Sequence, residues 1–237
     1  MRDSVAGECG PAAVLWDMDG TLVDTEPYWI ASEFELAERH GARWSRQHAL
    51  NIVGKDLLDA GRYIREQMAI ALTPERIVEE LLDGVVARVK ETVPWRPGAR
   101  DLLEQLRTAG IPCALVTMSY QRFVAPILEQ LHPDAFQAVI TGDMLKRGKP
   151  HPEPYLTAAA ALGVAADECL AIEDSNTGVA SAVAAGCAVL VIPNHVVVEP
   201  GVGRVFRESL VEVTPRELSL CWSDIRSGQP QNRPESG

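Results

Sequence analysis

The sequence predicts an α/β protein with a doubly wound parallel sheet and an all-helical unit inserted after the first strand. Two observations support this fold class. From residue 112 onward, short apolar runs alternate with helical segments, a pattern typical of a parallel sheet covered by helices on both faces. Before residue 92, about seventy residues carry helical periodicity without strand-like alternation, which is far more than a crossover between parallel strands requires.

The first predicted strand, residues 13–16, is an apolar run that ends at Asp17, with the turn residue Gly20 close behind. The later strands are also apolar runs, and several of the helices between them end at a glycine, which is a common helix terminator. We predict these strands at 112–117, 138–140, 169–172 and 188–192, and core helices at about 98–108, 121–131, 154–162, 176–185 and 215–220.

The inserted unit is predicted to contain four helices. Pro27 suits the first turn of the first helix, Gly41 suits its end, and Thr73 suits the N-cap of the last helix. These residues place the four helices at about 27–40, 46–52, 57–70 and 74–91.

The predicted elements divide the chain into two bodies and two ends. The α/β catalytic core is expected to comprise residues 12–24 and 96–222, and the helical cap residues 25–95. Residues 1–11 and 226–237 are predicted to be disordered; the second of these ends is rich in Ser, Gly, Pro, Gln and Asn.

Composition restricts the classes of partner. The formal net charge of −11 disfavours binding to nucleic acid or to an anionic membrane, and no apolar run approaches the length of a membrane span. The five cysteines show no Cys-x-x-Cys spacing, and an odd number without a disulfide framework indicates a reducing cytoplasm. We therefore expect a cytoplasmic monomer whose partner is a small molecule.

Polar side chains follow four of the predicted strands or the loops after them. Because the carboxyl ends of parallel strands share one edge of the sheet, these groups should lie close together. Asp17 and Asp19 repel each other unless a cation lies between them, and Mg²⁺ is suited because it binds carboxylate and phosphate oxygens. The groups expected at this edge are Asp17, Asp19, Thr117, Met118, Ser119, Lys149, Glu173 and Asp174.

Each of these residues also has a plain structural interpretation. The Asp-Met-Asp-Gly segment 17–20 could be a polar turn, Lys149 a solvated surface charge, and Thr117 a strand-end β-former. The segment 173–175 could be a helix N-cap. One acid pair at a strand end is weak evidence, but two acid pairs, a hydroxyl and a lysine at successive strand ends favour a catalytic site.

With these motifs in this order, the chain resembles the haloacid dehalogenase (HAD) superfamily of aspartate-nucleophile phosphatases. The resemblance covers about residues 12–220 and implies a HAD-like Rossmannoid core. The helical insertion is similar to the small cap of the group that contains β-phosphoglucomutase and phosphoglycolate phosphatase. The matching motifs are Asp17-Met18-Asp19-Gly20-Thr21, Thr117 after an apolar strand, Gly148-Lys149-Pro150, and Glu173-Asp174-Ser175.

The resemblance implies a separate role for each aspartate of the first motif. Asp17 would be the nucleophile that attacks phosphorus and forms an aspartyl-phosphate. Asp19 would protonate the leaving alcohol and then activate water. Lys149 together with Mg²⁺ would keep the pKa of Asp17 low enough for the carboxylate to be ionised.

The same resemblance implies the residues that bind metal and substrate. Asp17, Asp174 and the backbone carbonyl of Asp19 would hold Mg²⁺, and Glu173 would act through water or from behind the direct ligands. Phosphoryl oxygens would be held by the hydroxyl of the second motif, by the backbone N–H groups after it and by the lysine. The expected substrate-binding residues are Thr117, Met118, Ser119, Lys149 and, from the cap, Lys55.

These roles predict a Mg²⁺-dependent phosphatase that hydrolyses a small phosphorylated metabolite, such as a sugar phosphate or phosphoglycolate. Nucleotide substrates are also compatible with the motifs. A halide-releasing dehalogenase is disfavoured, because such a member would lack the second aspartate, Asp19. A noncatalytic binding module on the same fold is disfavoured, because all the expected catalytic groups are present.

A sugar phosphomutase of the β-phosphoglucomutase kind is the main alternative. Such mutases hold a second phosphate with basic residues, and losing those residues favours simple hydrolysis. Lys55 and Arg122 are the nearby cations that could replace them. At the apparent matching places this chain has Trp29, Val53, Gly54, Leu57 and Tyr120.

Overall fold

The computed structural model of the chain describes residues 10–53 and 56–228, and predictions made for Lys55 and for residues 1–9 and 229–237 lie outside them. Six strands are present in this part: β1 (Ala13–Trp16), β2 (Cys113–Val116), β3 (Ala138–Ile140), β4 (Cys169–Glu173), β5 (Ala188–Val191) and β6 (Arg204–Phe206). They form one sheet in the order β3-β2-β1-β4-β5-β6, and every pairing is parallel. The predicted parallel α/β fold is confirmed.

β1 lies in the middle of the sheet, between β2 and β4. Val14 pairs with Cys113 on one side and with Leu170 on the other. All four residues of the strand are buried, which explains an apolar run without polar alternation. Val14 and Trp16 belong to one hydrophobic cluster, and the alternate residues belong to a second cluster on the opposite face. The end of β1 is therefore held from both faces of the sheet.

Four helices occupy the described part of the inserted segment between β1 and the next core helix. They build a hydrophobic cluster of their own, in which Leu36, Ile64, Ile77 and Leu81 are buried. The fourth of them packs extensively against the third and against the first. The helices are α1 (Glu26–Arg39), α2 (Arg46–Leu50), α3 (Leu57–Met68) and α4 (Pro74–Glu91). We call them the helical unit.

In the part of the chain that the structure describes, five further α-helices flank the sheet: α5 (Ala99–Thr108), α6 (Gln121–Leu128), α7 (Glu153–Leu162), α8 (Asn176–Ala184) and α9 (Pro215–Ser227). Among the described residues, no helix combines the length and apolar character needed to cross a bilayer. Cys113, Cys169, Cys187 and Cys221 are buried and free, and burial raises the pKa of each thiol.

The structure differs from the sequence prediction at one strand and near both ends of the described chain. The strand β6 was missed, because Val205 is its one buried apolar residue and a run of three residues carries no periodic signal. The helix α9 continues to Ser227, so residues 226 and 227 are helical rather than disordered. Arg226 lies against the ring of Trp222 and donates a hydrogen bond to a backbone carbonyl of the core. At the other end, Pro11 is buried, so the predicted disordered leader extended too far into the described chain.

The helical unit joins the core through two adjacent backbone segments. Val23 and Trp95 form an antiparallel bridge. The Asp24 N–H donates to the carbonyl of Pro94 at 2.8 Å. The Arg96 N–H donates to the carbonyl of Leu22 at 3.0 Å. The two linkers therefore cross side by side and support each other.

The helical unit also packs directly against the core. Leu82 and Val85 on α4 belong to the same hydrophobic cluster as Phe123 on α6. The ring of Phe123 makes an edge contact with Trp29 on α1, with ring centroids 5.6 Å apart. Apolar burial at this interface stabilises the orientation of the unit over the sheet edge.

Phe123→Ala should therefore lower the free energy of unfolding by about 3–5 kcal/mol, because it removes a fully buried ring at the junction of core and helical unit. Phe34→Ala is the matched control: Phe34 is exposed on α1, and its loss should cost less than about 1 kcal/mol. Urea denaturation followed by far-UV circular dichroism measures both values. Similar losses in the two variants would contradict this packing.

Candidate active site

The loop after β1 presents two aspartates from a three-residue segment. Asp17 continues the strand, since its N–H donates to the carbonyl of Ile172 at 3.0 Å. Gly20 has φ of +91°, a conformation that favours glycine. A Cβ at Gly20 would lie 1.9 Å from Oδ2 of Asp174. The glycine is therefore required both by the turn and by the close approach of a second acidic residue.

The side chains of the two aspartates point to different groups. Oδ1 of Asp17 accepts a hydrogen bond from Nζ of Lys149 at 2.6 Å. Asp19 instead accepts hydrogen bonds from hydroxyls, including those of Thr25 at 2.8 Å and Ser119 at 2.7 Å. Two carboxylates one residue apart thus lie in different environments, one cationic and one hydroxyl-lined.

The predicted binding segment after β2 lies against these groups. Thr117 Oγ1 donates to Asp19 at 3.2 Å and accepts from the Ser119 N–H at 2.9 Å. The sulfur of Met118 accepts a hydrogen bond from the backbone N–H of Lys149 at 3.4 Å. In this structure the hydroxyls expected to hold phosphoryl oxygens donate to Asp19.

The side chain of Lys149 is 5% exposed, which contradicts its interpretation as a surface charge. Its Nζ donates to Asp17 at 2.6 Å, to Oε1 of Glu173 at 2.7 Å and to the carbonyl of Val116 at 3.0 Å. These three hydrogen bonds use all the donors of an ammonium group. The lysine therefore links the ends of β1, β2 and β4.

Glu173 is fully buried, and both of its carboxylate oxygens accept hydrogen bonds. Besides the lysine, Oε1 accepts from the Tyr155 hydroxyl at 2.6 Å. Oε2 accepts from the Asp174 N–H at 3.2 Å and from the Ser175 hydroxyl at 3.1 Å. A Cβ at Gly178 would lie 1.8 Å from Oε1, so this glycine makes room for the carboxylate. These contacts occupy both carboxylate oxygens of Glu173.

Burial dominates the titration of the acids at this edge. Burial and the charge of Glu173 raise the pKa of Asp17 to about 7, although Lys149 opposes the shift. Burial and the charge of Asp17 raise the pKa of Asp174 to about 9. Burial also raises the pKa of Asp19, against the hydrogen bonds from its hydroxyl neighbours. Burial alone would lower the pKa of Lys149, but Asp17 and Glu173 outweigh it and raise that pKa.

The acids at this edge fit a divalent cation. Carboxylate oxygens of Asp17, Glu173 and Asp174 lie within 4.8 Å of one another. Oδ2 of Asp17 is buried and has no hydrogen-bond partner in the described part of the chain. Three carboxylates face the single positive charge of Lys149, so a divalent cation would balance the remainder, and carboxylate oxygens are ligands that Mg²⁺ prefers. Asp17 and Asp174 have carboxylate oxygens available to bind a cation, whereas both oxygens of Glu173 already accept hydrogen bonds.

Sequence reasoning missed two residues that shape this edge. Thr25 is 2% exposed and precedes α1, where a threonine usually caps the helix; its hydroxyl makes no cap hydrogen bond and reaches Asp19 instead. Its place before Glu-Pro gave a signal for a helix start but none for a catalytic neighbour. Tyr155 occupies an apolar position of α7, and nothing in its sequence context distinguishes it from a core residue.

A cavity of about 340 Å³ extends from the aspartates to the helical unit. Arg122, the cation considered as a replacement for a mutase residue, is not part of its lining. Arg122 forms ion pairs with Glu79, at 2.6 Å, and with Asp83, both on α4. That replacement is therefore wrong for this conformation. The cavity is lined by, among others, Asp17, Asp19, Asp24, Glu26, Trp29, Glu33, Ile52, Val53, Asp56, Leu57, Leu81, Lys149, Asp174 and His195.

A family model described as haloacid dehalogenase-like hydrolase matches residues 14–192. Hexitol phosphatase A of Escherichia coli is 35% identical over 188 residues, which cover 75% of this chain and 81% of that protein. A phosphoglycolate phosphatase of Shigella boydii is 31% identical over 203 residues, covering 73% and 78%. A solved β-phosphoglucomutase of Clostridium difficile superposes with a TM-score of 0.76 over 92% of this chain and 99% of that one; at 20% identity the likeness concerns the fold.

Mg²⁺ should raise the melting temperature of metal-free protein, because the cation would bind the acids assembled in the folded state and not the dispersed acids of the unfolded chain. At about one hundred times Kd, the stabilisation would be about 2.7 kcal/mol. Asp174→Asn should abolish the increase, and Asp101→Asn, an exposed change on α5, should preserve it. Calorimetry with and without Mg²⁺ after EDTA treatment measures the difference. An undiminished increase in Asp174→Asn would place the cation elsewhere.

Proposed function

The chain belongs to the haloacid dehalogenase-like hydrolases, and on that premise we propose that it is a phosphatase that cleaves the phosphate ester of a small phosphorylated metabolite. The observation that carries the proposal is that the two aspartates lie in different environments. Asp17 contacts the ammonium group of Lys149, whereas Asp19 accepts hydrogen bonds from hydroxyls. Carboxyls in separate environments at one site can act as nucleophile and as general acid. The relatives named for hexitol and phosphoglycolate phosphatase activity support a sugar phosphate or a phosphoglycolate-like substrate.

In the first step, a carboxylate oxygen of Asp17 forms a bond to phosphorus while the bond from phosphorus to the leaving alcohol oxygen breaks. Lys149 orients the attacking carboxylate and balances part of its charge. Asp19 donates its proton to the departing oxygen, and the raised pKa caused by its burial suits a proton donor. The products are an aspartyl-phosphate on Asp17, the free alcohol and an ionised Asp19.

In the second step, a water molecule attacks phosphorus and Asp19 accepts its proton. The bond between phosphorus and the Asp17 oxygen breaks, which releases inorganic phosphate and restores the carboxylate. Thr117 and Ser119 hold the orientation of Asp19 through their hydroxyls. Asp19 ends the cycle protonated, as it began.

We propose that Asp17 and Asp174, with the backbone carbonyl of Asp19, hold Mg²⁺, and that Glu173 positions Lys149. Bound Mg²⁺ would supply positive charge to the phosphoryl oxygens. The unpartnered Oδ2 of Asp17 and the excess of buried carboxylates support this assignment.

The helical unit is proposed to act as a cap, residues 25–95, that closes over the sheet edge and excludes water from the nucleophile. The paired linkers at Val23 and Trp95 support a hinge at this place. The four described cysteines, buried and free, support a reducing cytoplasm as the compartment.

Hydrolysis is favoured over a mutase reaction by the charge of the cavity. A mutase must hold a second phosphate, which normally demands Lys or Arg. Among the described residues that line the cavity, Lys149 is the one Lys or Arg, and it is engaged by Asp17 and Glu173. Toward the helical unit the lining includes Trp29 and Leu57.

The roles of the two aspartates can be separated with p-nitrophenyl phosphate, whose leaving group needs little protonation. Asp17→Asn should form no phosphoenzyme and show background turnover, because the nucleophile is absent. Asp19→Asn should lose about 10²–10⁴-fold in turnover and accumulate phosphoenzyme, because the base for the second step is absent. Rapid-quench trapping, with the labelled residue mapped by mass spectrometry, measures both. Label retained in Asp17→Asn would reject the assignment.

Removal of metal should abolish hydrolysis of p-nitrophenyl phosphate, and added Mg²⁺ should restore it, because the carboxylates otherwise repel the phosphoryl group. The release of inorganic phosphate by EDTA-treated, dialysed protein is compared before and after Mg²⁺ is added. Full activity in metal-free protein would show that Lys149 alone balances the charge.

A further inference from the structure

Glu33 is a buried carboxyl that lines the cavity from the helical unit. Glu33 is 3% exposed, and its Oε2 accepts a hydrogen bond from Nε1 of Trp44 at 3.0 Å. Within residues 10–53 and 56–228, no Lys or Arg forms an ion pair with it, whereas Glu35 and Glu80 of the same helical unit pair with arginines. Burying a carboxyl without a cation is costly. The side-chain oxygen of a neutral glutamine could accept the same hydrogen bond from Trp44. The presence of a carboxyl therefore suggests that Glu33 also binds a ligand.

Glu33 lies at the end of the cavity remote from the reacting aspartates. Glu26, Trp29 and Glu33 all line the cavity, and their spacing of three and four residues places them on one face of α1. The residue before this helix, Thr25, contacts Asp19. With a rise of 1.5 Å per residue, Glu33 lies about 10 Å further along the helix than Glu26.

The charges along the cavity disfavour a second anionic group on the substrate. Asp24, Glu26 and Asp56 also line the cavity, and the described lining of the helical unit contains no Lys or Arg. Ile52 and Leu81, which belong to the hydrophobic cluster of the helical unit, add apolar surface to the cavity. Such a surface suits a chain of carbon atoms that carries neutral hydroxyls, because hydroxyls donate to carboxylates and C–H groups pack on apolar side chains.

Burial also raises the pKa of Glu33 to about 7, with the Trp44 N–H opposing the shift. A carboxyl in this range is well matched to a neutral hydrogen-bonding partner, since it can accept from a hydroxyl without requiring a counter-charge.

We propose that Glu33 is a specificity-determining residue that hydrogen bonds a hydroxyl at the distal end of the substrate. The site would then prefer a phosphorylated polyol or open-chain sugar, whose chain carries hydroxyls beyond the phosphate-bearing carbon, over phosphoglycolate or a bisphosphate. This inference rests on the proposed phosphatase function. A site built to hydrogen bond a substrate hydroxyl discriminates strongly against analogues that lack it.

The test compares sorbitol 6-phosphate, phosphoglycolate and p-nitrophenyl phosphate on wild type and three variants. Glu33→Met should lower kcat/KM for sorbitol 6-phosphate by about 10–100-fold, mainly through KM, and leave p-nitrophenyl phosphate within about threefold. Glu33→Gln keeps an acceptor but removes the charge, so it should retain most activity on sorbitol 6-phosphate and raise kcat/KM for phosphoglycolate several-fold. Glu38→Gln, an exposed change on the same helix, should match wild type on all three.

The outcomes separate this inference from the proposed function. Parallel loss of sorbitol 6-phosphate and p-nitrophenyl phosphate activity in Glu33→Met would show a structural role, and a wild-type preference for phosphoglycolate would overturn the inference directly. If Glu33→Met does not fold, an unchanged phosphoglycolate rate in Glu33→Gln is the result that overturns it. In each of these cases wild type still hydrolyses p-nitrophenyl phosphate. Failure of wild type to hydrolyse that ester would instead overturn the proposed function.

Discussion

The ammonium group of Lys149 is the contact on which the rest of the site depends. It joins Asp17 on one strand end to Glu173 on the neighbouring strand end, at 2.6 and 2.7 Å, in a place nearly free of solvent exposure. The sheet forces these carboxylates together, because β1 and β4 are paired residue by residue and buried on both faces. Without a cation the acids would either take up protons or move apart, and the buried sheet prevents the second. Tyr155 completes the arrangement from behind by donating to Glu173.

Much of this site could be predicted because the topology of a parallel sheet determines which residues lie close together. Once Asp17, Thr117, Lys149 and Asp174 are assigned to strand ends or to the loops after them, a parallel sheet brings them to one edge without any knowledge of side-chain contacts. The apolar run of β1 and the glycine that follows it are local signals with direct physical causes. The long helical stretch between two strands was recognisable for a similar reason, since it is too long for a crossover.

The remainder depends on tertiary contacts that leave no local signal. The destination of the Thr25 hydroxyl is decided by Asp19, six residues away, rather than by the helix that follows. Arg122 could have faced the cavity, but two acids on α4 draw it to the interface between core and helical unit. β6 is a strand because it pairs with the edge of β5. The composition of its three residues gives no indication of that pairing.

If the helical unit moves as a cap, the hydrogen bond between Thr25 and Asp19 would couple that movement to the proposed proton donor. Thr25 stands where the first linker becomes α1, so any rotation of the helices about the linkers moves this hydroxyl relative to the carboxyl. Asp19 would then be fully oriented when the helices cover the sheet edge and less restrained when they swing away. The proposed proton donor would then be oriented only after an alcohol has been enclosed, and bulk water would meet a site in which Asp19 is less restrained.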